Sequence, residues 1–463
     1  MLAPAVIANI ALLLANITPS FVSASPIGSL LDGQALIEAR KLRIGQRDQP
    51  DEGEWNVKNH LGNLSPYFSA PSNGYTTELP AGCVVDQVQL MHRHGSRFPL
   101  PTELPYIEAV FELLHEHHDL LANVSEPFQF LKTWKPTLGE DNLTPMGRQE
   151  LFNHGVEFNL TYPQFSTSLL LSSPQDRVLE SAKWFQMGYN GRNYANQSKI
   201  VPLTSTVAPI SWIRPSDTCS LWKYDYGLTA VNDWNAIYLP PIVSRINDDL
   251  PGFNFTADSI HGMLYACAYE TAAVGHTPWC AVFESEEILD FEYELDLLMN
   301  YAFGYGLPQE LGPILGSVYV NKLIERLTNA TGNATDLYLE FGHDTTIDLA
   351  LTALGLAKDT PNISASERGA PNATRRWMTS QQVPFAAKMI TERISCTSSN
   401  TTNTDTWIRF LLNDAPFPIL TCGDKMNSST GACPLDVFVE VNAPSLAVNK
   451  TIFDTVCNNI RTT

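Results

Sequence analysis

Three apolar segments, each ending in a polar cluster just before a helical pattern, constrain the fold of this chain more than any other feature. The apolar segments are residues 84–91, 167–173 and 337–341. The helical patterns that follow them cover residues 103–118, 175–189 and 345–354. Short aliphatic and β-branched runs are typical of buried strands, and strands that alternate with helices are typical of α/β proteins. We therefore predict an α/β fold with a mixed, largely parallel central sheet flanked by helices.

The polar clusters at the ends of these strands contain the candidate functional residues. They are Arg93, His94 and Arg97 after the first strand, Arg177 at the start of the second helix, and His343 and Asp344 after the third strand. Ligands of open α/β sheets bind beyond the carboxyl ends of the strands, so we expect the clusters to converge on one pocket. Any one cluster alone is more often an ion pair or a buried polar group without function, but the three together favour a functional site.

The residue types in the clusters fit phosphoryl transfer. A guanidinium group can bind two oxygens of a phosphate, and Arg93, Arg97 and Arg177 offer three such groups. A neutral imidazole between them can attack phosphorus and form a phosphohistidine, which is the role we assign to His94. The carboxyl group of Asp344 can protonate the leaving oxygen. The clusters therefore predict a phosphate site with a histidine nucleophile.

The rest of the chain divides by composition. Residues 25–80 are polar and rich in Pro, Gly and Asn, which predicts an extended arm over the surface. The catalytic region would then occupy residues 81–463. Within it, about residues 115–165 and 210–305 show helical periodicity and many aromatic residues, which predicts a smaller all-helical domain inserted into the α/β body.

The first 24 residues are typical of a secretory signal peptide. An apolar stretch over residues 6–14 precedes the small residues Val22, Ser23 and Ala24, which suit cleavage before Ser25. A buried N-terminal helix is the alternative. Eight cysteines, an even number, suggest disulfides, although eight allow 105 pairings. These features predict a secreted, extracellular protein, with retention in a cell wall as a variant of that location.

Asn-x-Ser/Thr sequons are frequent, and thirteen follow the leader. Proline after the sequons of Asn63 and Asn142 makes these two poor acceptors. The remaining glycosylation candidates are Asn123, Asn159, Asn196, Asn254, Asn329, Asn333, Asn362, Asn372, Asn400, Asn427 and Asn449. Their density supports an exported glycoprotein.

Charge and missing motifs exclude other classes. With 29 Lys and Arg against 49 Asp and Glu, the net charge of −20 makes a nucleic-acid partner improbable. No interior run of about 20 apolar residues could span a membrane. The cysteines form no CxxC pair, and the histidines at residues 115–118 lack the HExxH spacing, so we expect no metal site. P-loop and GxSxG motifs are also missing from the sequence.

The motifs resemble those of the histidine acid phosphatases. Residues 93–99, Arg-His-Gly-Ser-Arg-Phe-Pro, look like the family's RHGxRxP motif, and residues 342–345, Gly-His-Asp-Thr, look like its HD motif. The segment Asp176-Arg177-Val178 resembles the family's DRV segment. Stretches around residues 267–280, 291–296, 311–321 and 433–436 are similar to the fungal acid phosphatase and phytase branch. The likeness covers the chain from about residue 45 onward.

The resemblance implies the histidine phosphatase fold and a role for each matching residue. His94 would be the phosphorylated nucleophile and Asp344 the proton donor. Phosphate would be held by Arg93, Arg97, Arg177 and His343. No metal or cofactor would be needed, and the partners would be small phosphate monoesters. The family's disulfides imply the pairs Cys83–Cys396, Cys219–Cys457, Cys267–Cys280 and Cys422–Cys433.

The resemblance leaves two substrate classes open, because the family contains enzymes specific for phytate and enzymes with broad specificity. A phytate pocket should offer extra lysine or arginine around the phosphate clamp. The loop after the first motif, residues 100–109, has two acids and no base. This favours a secreted acid phosphatase with broad specificity, with a 3-phytase-type enzyme as the alternative. A catalytically silent binding glycoprotein is a weaker hypothesis, because both motifs are intact. The low sequence pI, about 4.8, predicts an acidic working pH.

Overall fold

In the part of the chain that the structure describes, eight strands form one mixed sheet. The computed structural model describes residues 55–308, 311–369, 375–397 and 404–459. The strands are β1 (Cys83–Arg93), β2 (Leu169–Ser172), β3 (Lys199–Pro202), β4 (Leu337–Gly342), β5 (Lys388–Thr397), β6 (Thr404–Leu412), β7 (Ala415–Phe417) and β8 (Cys433–Pro434). Their order is β3-β2-β4-β1-β5-β6-β7, and β8 pairs with β6. The pairs among β3, β2, β4 and β1 are parallel and the others are antiparallel. The predicted mixed α/β sheet with parallel core strands is confirmed.

Some helices pack on the faces of this sheet, and others form a separate helical region. The helices are α1 (Leu104–Glu116), α2 (Pro145–Thr161), α3 (Asp176–Asn190), α4 (Tyr194–Gln197), α5 (Asp225–Asp249), α6 (Ala257–Val274), α7 (Ser285–Phe303), α8 (Leu311–Leu327), α9 (Asp344–Ala353), α10 (Thr379–Gln382), α11 (Leu435–Val441), α12 (Ala443–Leu446) and α13 (Lys450–Val456). Short 3₁₀ helices cover Val57–Asn59, Gly62–Leu64, His118–Asn123, Gln129–Lys132, Gly191–Asn193, Pro215–Thr218, Pro278–Val282 and Leu420–Lys425.

The three strands that the sequence predicts are neighbours in the sheet. Leu90 of β1 pairs with Leu339 of β4, and Leu170 of β2 pairs with the same residue from the other side. Because these strands are parallel, their carboxyl ends lie at one edge of the sheet. The polar clusters that follow them are therefore brought together, as expected at the ends of parallel strands.

Both faces of the sheet are covered. On one face, Leu90 and Leu339 pack with Leu151 and Phe158 of α2 and Phe185 of α3. The opposite face, which carries Met91 because side chains alternate along a strand, packs against α8 and α9. Burial on both faces explains why the parallel strands are almost uniformly apolar in sequence.

The helical region is built from α1, α5, α6 and α7, around a core that includes Trp234, Tyr269, Trp279 and Phe291. The predicted second insertion, residues 210–305, contains α5 to α7. The predicted first insertion, residues 115–165, differs from the structure at both ends. Helix α1 belongs to the helical core although it begins at residue 104, and α2 packs on the sheet instead.

Close packing explains the position of α2. A Cβ at Gly155 would lie 2.1 Å from the Phe185 carbonyl oxygen, and a Cβ at Gly188 would lie 2.0 Å from the Phe152 carbonyl oxygen. Glycines at both contacts let the backbones of α2 and α3 approach closely. Hydrophobic periodicity reports side chains rather than backbone contact, so it did not reveal this packing.

The predicted arm is only partly on the surface. Residues 70–77 lie beside β6 and β7. The Ala70 N–H donates to the carbonyl of Asn413, between these two strands, and Asn73 Nδ2 donates to the Pro416 carbonyl in β7. Leu61 and Leu64, in contrast, are buried in the helical core. Residues 61–65 are therefore an internal segment rather than part of a surface arm. The predicted signal peptide, residues 1–24, and arm residues 25–54 lie outside the described residues.

Four disulfides join the cysteines in the pairs that the resemblance implies. They are Cys83–Cys396, Cys219–Cys457, Cys267–Cys280 and Cys422–Cys433. The first links the beginning of β1 to its antiparallel partner β5. Among the described residues, no helix has the length and apolar character needed to cross a membrane.

Most of the described sequons are on the surface. The exposed ones among the glycosylation candidates are Asn123, Asn159, Asn196, Asn254, Asn329, Asn333 and Asn449. Asn427 is half-buried, and so is Asn362, whose Nδ2 donates to Asn300 Oδ1 over 2.8 Å. Because a glycan would be attached at that nitrogen, the folded state disfavours modification of Asn362. Asn372 and Asn400 lie outside the described residues.

Candidate active site

His94 lies where β1 ends, beside the carboxyl end of β4. Its N–H donates to the Gly342 carbonyl over 3.1 Å, and its carbonyl accepts from the Ala386 N–H over 2.9 Å. The imidazole is buried, and its Nδ1 lies 2.9 Å from the Gly95 carbonyl oxygen. A carbonyl oxygen only accepts, so this hydrogen bond requires the proton on Nδ1 and leaves the lone pair on Nε2. A nucleophile that attacks through Nε2 needs this tautomer.

The electrostatic surroundings favour a neutral His94. Burial of the ring is the main cause that holds the pKa of His94 well below its ordinary value. The positive charges of Arg177 and then Arg93 lower it further. His343, whose ring centre is 5.6 Å away, acts in the same direction. A neutral imidazole therefore persists at acidic pH, where an exposed histidine would be protonated.

The turn after His94 is fixed by close packing and by the carboxyl group of Glu150. A Cβ at Gly95 would lie 2.5 Å from the Gly147 carbonyl oxygen, so this position requires glycine. The Ser96 N–H and hydroxyl donate to the two oxygens of Glu150 over 2.8 and 2.9 Å. The imidazole is thus held on a backbone with little freedom to move.

Arg93, the last residue of β1, is fully buried and pairs with Asp344. Its Nη2 lies 2.8 Å from Asp344 Oδ2, while Nη1 donates to the carbonyl oxygens of Asn63 and Val383. The guanidinium carbon lies 4.5 Å from the ring centre of Phe385. Burial is the main cause that lowers the pKa of Arg93 to about 10, so the group is charged at acidic and neutral pH.

Arg97 is anchored from the helical region. Its Nη1 donates to the hydroxyl of Tyr269 over 3.1 Å and lies 3.2 Å from Glu103 Oε2. The Tyr269 hydroxyl itself donates to Glu103. Burial acts to lower the pKa of Arg97, but Tyr269 and Glu103 outweigh it, so the pKa is raised. A residue of α6 therefore positions a guanidinium of the α/β body.

Arg177 approaches the same place from the first turn of α3. Its Nη1 lies 2.7 Å from Asp141 Oδ1, and its side chain is mostly buried. Burial and the charge of Arg97 lower its pKa. The Nε atoms of Arg93, Arg97 and Arg177 are all buried without a hydrogen-bond partner among the described residues. Three guanidinium donors thus remain available to an anion, because buried donors are seldom left unpaired without a reason.

His343 and Asp344 mark the start of α9. His343 Nε2 lies 3.2 Å from the hydroxyl of Ser173, which follows β2. Burial and then the charge of Arg214 hold the pKa of His343 well below its ordinary value. The Asp344 carboxylate accepts from Asn63 Nδ2 over 3.0 Å and from the Thr345 N–H over 2.8 Å. Burial acts to raise the pKa of Asp344, but the Arg93 guanidinium and these bonds lower it overall.

The structure brings together all six residues singled out in the sequence and adds others. Asn63, from the segment predicted as a surface arm, bonds Asp344, and Arg214 lies near His343. Glu103 and Tyr269 anchor Arg97. The sequon at Asn63 was the one sequence signal at that position, and it suggested a different role. Arg214 carried no motif.

The arrangement can bind and transfer a phosphoryl group. Positive groups surround a buried neutral imidazole whose free nitrogen can attack phosphorus, and a carboxyl group lies beside Arg93. Within the described ranges, no three His, Cys, Asp or Glu side chains form a set that could hold a metal ion.

Comparison with known proteins agrees with this geometry. Residues 84–413 match the model of the histidine phosphatase superfamily (branch 2). An acid phosphatase of Schizosaccharomyces pombe is 30% identical over 427 residues, which cover 88% of this chain and 92% of that protein. A phytase of Candida albicans is 29% identical, over 89% of this chain and 88% of that protein. The crystal structure of the phytase from D. castellii superimposes with a TM-score of 0.78 at 23% identity, covering 90% of this chain and 92% of that one.

The fold and the family match define the class: the chain belongs to the histidine phosphatase superfamily, branch 2. Within this class it is a histidine acid phosphatase, a phosphomonoester hydrolase, with phytases among its relatives at similar identity.

Proposed function

We propose that the enzyme hydrolyses a broad range of phosphate monoesters through a phosphohistidine at His94 and releases inorganic phosphate. The observation that supports this most is that Arg93, Arg97 and Arg177 all act electrostatically on the neutral His94 and each keeps a buried Nε donor without a partner among the described residues. Three oxygens of a phosphoryl group can each accept from such donors. His343 would supply a further contact to the same group.

In the first step, the lone pair of His94 Nε2 forms a bond to phosphorus as the ester P–O bond breaks. The electron pair of that bond goes to the leaving oxygen, which takes a proton from the Asp344 carboxyl group. In the second step, water attacks phosphorus and gives a proton to the Asp344 carboxylate. The N–P bond breaks, its electrons return to Nε2, and inorganic phosphate leaves. The guanidinium groups stabilise the charge on the phosphoryl oxygens in both steps.

Asp344 must be protonated in the first step, although Arg93 lowers its pKa in the free enzyme. A bound phosphoryl dianion would compete for Arg93 and add negative charge beside the carboxylate. Both effects raise the pKa of a carboxyl group. Substrate binding at acidic pH therefore favours the acid form that the mechanism requires.

The ion pairs around the site favour substrates with one or two phosphoryl groups over phytate. Arg97, Arg177 and Arg214 each pair with a carboxylate, those of Glu103, Asp141 and Asp217. A substrate with six phosphates requires an excess of positive charge, which these pairs reduce. Lys132 donates to the Ala122 carbonyl instead. A 3-phytase-type enzyme is the second candidate, and the phytase relatives at nearly the same identity support it.

The decisive experiment is replacement of His94 in the full-length enzyme. We expect His94→Ala to abolish hydrolysis of p-nitrophenyl phosphate while the melting temperature changes little. Acid quenching during turnover of a ³²P-labelled monoester should trap labelled wild-type protein and no labelled variant. His115→Ala, at an exposed position on α1, is the control and should retain full activity. Appreciable turnover by His94→Ala would overturn the mechanism.

Substrate choice is tested with the same wild-type enzyme. We expect kcat/KM for several simple monoesters to exceed that for phytate between pH 2.5 and 6.5. The reverse order would support the 3-phytase alternative.

We also propose that the enzyme is exported and glycosylated. Four disulfides support an oxidising location, where such bonds form and persist. The exposed sequons agree with this. Detection of the protein in culture medium, with a mass that falls after removal of N-glycans, tests the proposal, and an unmodified intracellular protein would contradict it.

A further inference from the structure

A fourth arginine lies beside the phosphate site, on the loop between β3 and α5. The Ile213 carbonyl accepts from the Thr346 hydroxyl in the first turn of α9. A Cβ at Gly342 would lie 2.8 Å from Ile213 Cγ2, so the loop is packed directly on the end of β4. Nearby, Trp212 Nε1 donates to Glu340 over 2.7 Å. These contacts place the backbone of Arg214, the next residue, beside the end of β4 and the first turn of α9, where His343 and Asp344 lie.

The charge of Arg214 affects the pKa values of residues in the site. Among charged groups it is the strongest influence that lowers the pKa of His343, ahead of Arg177 and Arg93. It also lowers the pKa of Arg177. Arg214 is therefore close to the anion site, although its side chain is one-quarter exposed while that of Arg93 is fully buried.

The guanidinium groups fall into an inner and an outer pair. Arg93 and Arg97 are inner, with side chains exposed by 0% and 7%. Arg177 and Arg214 are outer and pair with Asp141 and Asp217, which are exposed by 44% and 43%. We call these outer pairs the rim. A half-exposed carboxylate holds an arginine weakly, so an incoming anion can replace it.

One transferred phosphoryl group does not need all four arginines. The unpaired Nε donors of Arg93, Arg97 and Arg177, together with His343, match its oxygens. Arg214 is left over. It is more exposed than Arg93 and lies within electrostatic reach of His343 and Arg177. A guanidinium in this position suits a second anionic group on the same substrate.

We propose that Arg214 is a specificity-determining residue that binds a second phosphoryl group of the substrate, next to the one that is transferred. The inference rests on the proposed function and adds a preference within it. The ligand chemistry is a phosphoryl group either linked through oxygen to the first or carried on the neighbouring carbon. Arg214 would favour such substrates over matched esters with a single phosphoryl group.

The test compares matched substrates in the full-length enzyme. Inorganic diphosphate and 2,3-bisphosphoglycerate represent the linked and the neighbouring arrangement, and 2-phosphoglycerate and p-nitrophenyl phosphate are the esters with one phosphoryl group. We expect Arg214→Gln to lower kcat/KM about tenfold for at least one of the first two, mainly through KM, and less than threefold for the last two. Whichever substrate loses more identifies the arrangement. An equal loss on all four substrates, or no loss on any, would overturn the proposal.

Two further variants separate specificity from folding. Asp217→Asn removes the carboxylate that holds Arg214, and we expect kcat/KM for the favoured substrate to rise while that for p-nitrophenyl phosphate stays constant. A fall on both would show a structural role for the pair and contradict the inference.

Arg393→Gln is the matched control. Arg393 is equally exposed and pairs with Asp86 over 2.7 Å, near the opposite end of β1. At ~3.3 Å per residue, Asp86 lies about 23 Å from Arg93. This variant should leave all four rates unchanged, and a substrate-selective change in it would contradict the assignment to Arg214. Failure of the inference leaves p-nitrophenyl phosphate hydrolysis dependent on His94, so it is distinguishable from failure of the proposed function.

Discussion

The site combines a rigid floor, formed by Arg93, His94 and His343, with the rim of Arg177 and Arg214. The floor residues follow directly from strands β1 and β4 and are buried. Backbone hydrogen bonds to neighbouring strands hold them, as when the His94 N–H donates to the carbonyl of Gly342 at the end of β4. The rim residues lie on a helix start and a loop and pair with half-exposed carboxylates. The floor is organised before the substrate arrives, whereas the rim can exchange partners.

This difference separates chemistry from selection. Donors fixed in a buried site stabilise transition-state charge without reorganisation. Rim ion pairs contribute about 0–1 kcal/mol to stability, so their loss costs the fold little. Variants of the floor should therefore lower kcat strongly for every substrate. A variant of Arg177, which also contacts the transferred phosphoryl group, should cause a smaller loss on every substrate, and a variant of Arg214 should change the ranking of substrates.

The largest loss of activity should come from substitution of a floor residue. We expect Arg93→Gln to lower kcat/KM for p-nitrophenyl phosphate by about 10³-fold, because a transition-state charge contact is lost and Asp344 loses its partner. Arg177→Gln, at the rim, should lower it by about 10-fold to 50-fold. Steady-state kinetics of both variants checks the difference. Equal losses would remove the distinction between floor and rim.

The next largest loss of activity is expected for substitution of Asp344, and the size of this loss depends on the substrate. We expect Asp344→Asn to lower kcat about 10²-fold for alkyl phosphates, whose leaving oxygen needs a proton. For p-nitrophenyl phosphate, whose leaving group is stable as an anion, the loss should be only a few-fold. The slope of log kcat against leaving-group pKa measures this. An unchanged slope would show that Asp344 is not the proton donor.

The sequence places the floor residues and Arg177 at strand and helix ends, where the structure has them, but it did not reveal Arg214, for a physical reason. Arg93, His94 and Asp344 follow buried strands, whose apolar runs are visible in sequence and whose parallel pairing brings their ends together. Arg214 lies on an irregular loop whose position depends on contacts with Thr346 and Gly342, distant in sequence. No local pattern records such contacts.

The positions of Asn63 and α2 also depend on contacts between residues distant in sequence, which no local pattern records. Asn63 lies in a polar segment that looks like a surface arm, yet it is buried and bonds Asp344, while its neighbours Leu61 and Leu64 pack in the helical core. The position of α2 depends on close backbone contact at Gly155, and a glycine pair carries no hydrophobic signal. Tertiary contacts overrode local composition in both cases.

A smaller effect should come from Tyr269 of the helical region, which anchors the inner arginine Arg97. We expect Tyr269→Phe to raise KM for p-nitrophenyl phosphate about threefold to tenfold, because Arg97 loses one hydrogen bond but keeps Glu103. Since the chemical step is untouched, kcat should change less than KM. Tyr265→Phe, one helical turn away on α6, is the control. A larger fall in kcat than rise in KM would place Tyr269 in the chemistry itself.

The smallest effect on activity, with a distinct effect on stability, is expected at Asp348, one helical turn beyond Asp344. Its side chain is fully buried, and neither oxygen has a hydrogen-bond partner among the described residues. Burial first, then the negative charge of Asp344, raises the pKa of Asp348 well above its ordinary value of 3.8, although Arg93 opposes this. The carboxyl group of Asp348, one turn beyond Asp344, is therefore neutral at acidic pH.

The sign of the pH dependence follows from that raised pKa. Between pH 3.8 and the folded-state pKa, the unfolded chain has lost the Asp348 proton and the folded enzyme keeps it. The contribution of Asp348 to the stability of the wild type therefore falls with rising pH over this range, by about 1.4 kcal/mol for each pH unit. Asp348→Asn, which resembles the protonated acid, removes this loss. Its free energy of unfolding relative to wild type should rise from pH 3 to pH 7, with kcat at acidic pH within about twofold. Chemical denaturation at several pH values measures the trend, and a difference that stays constant with pH would show that Asp348 is ionised in the folded enzyme.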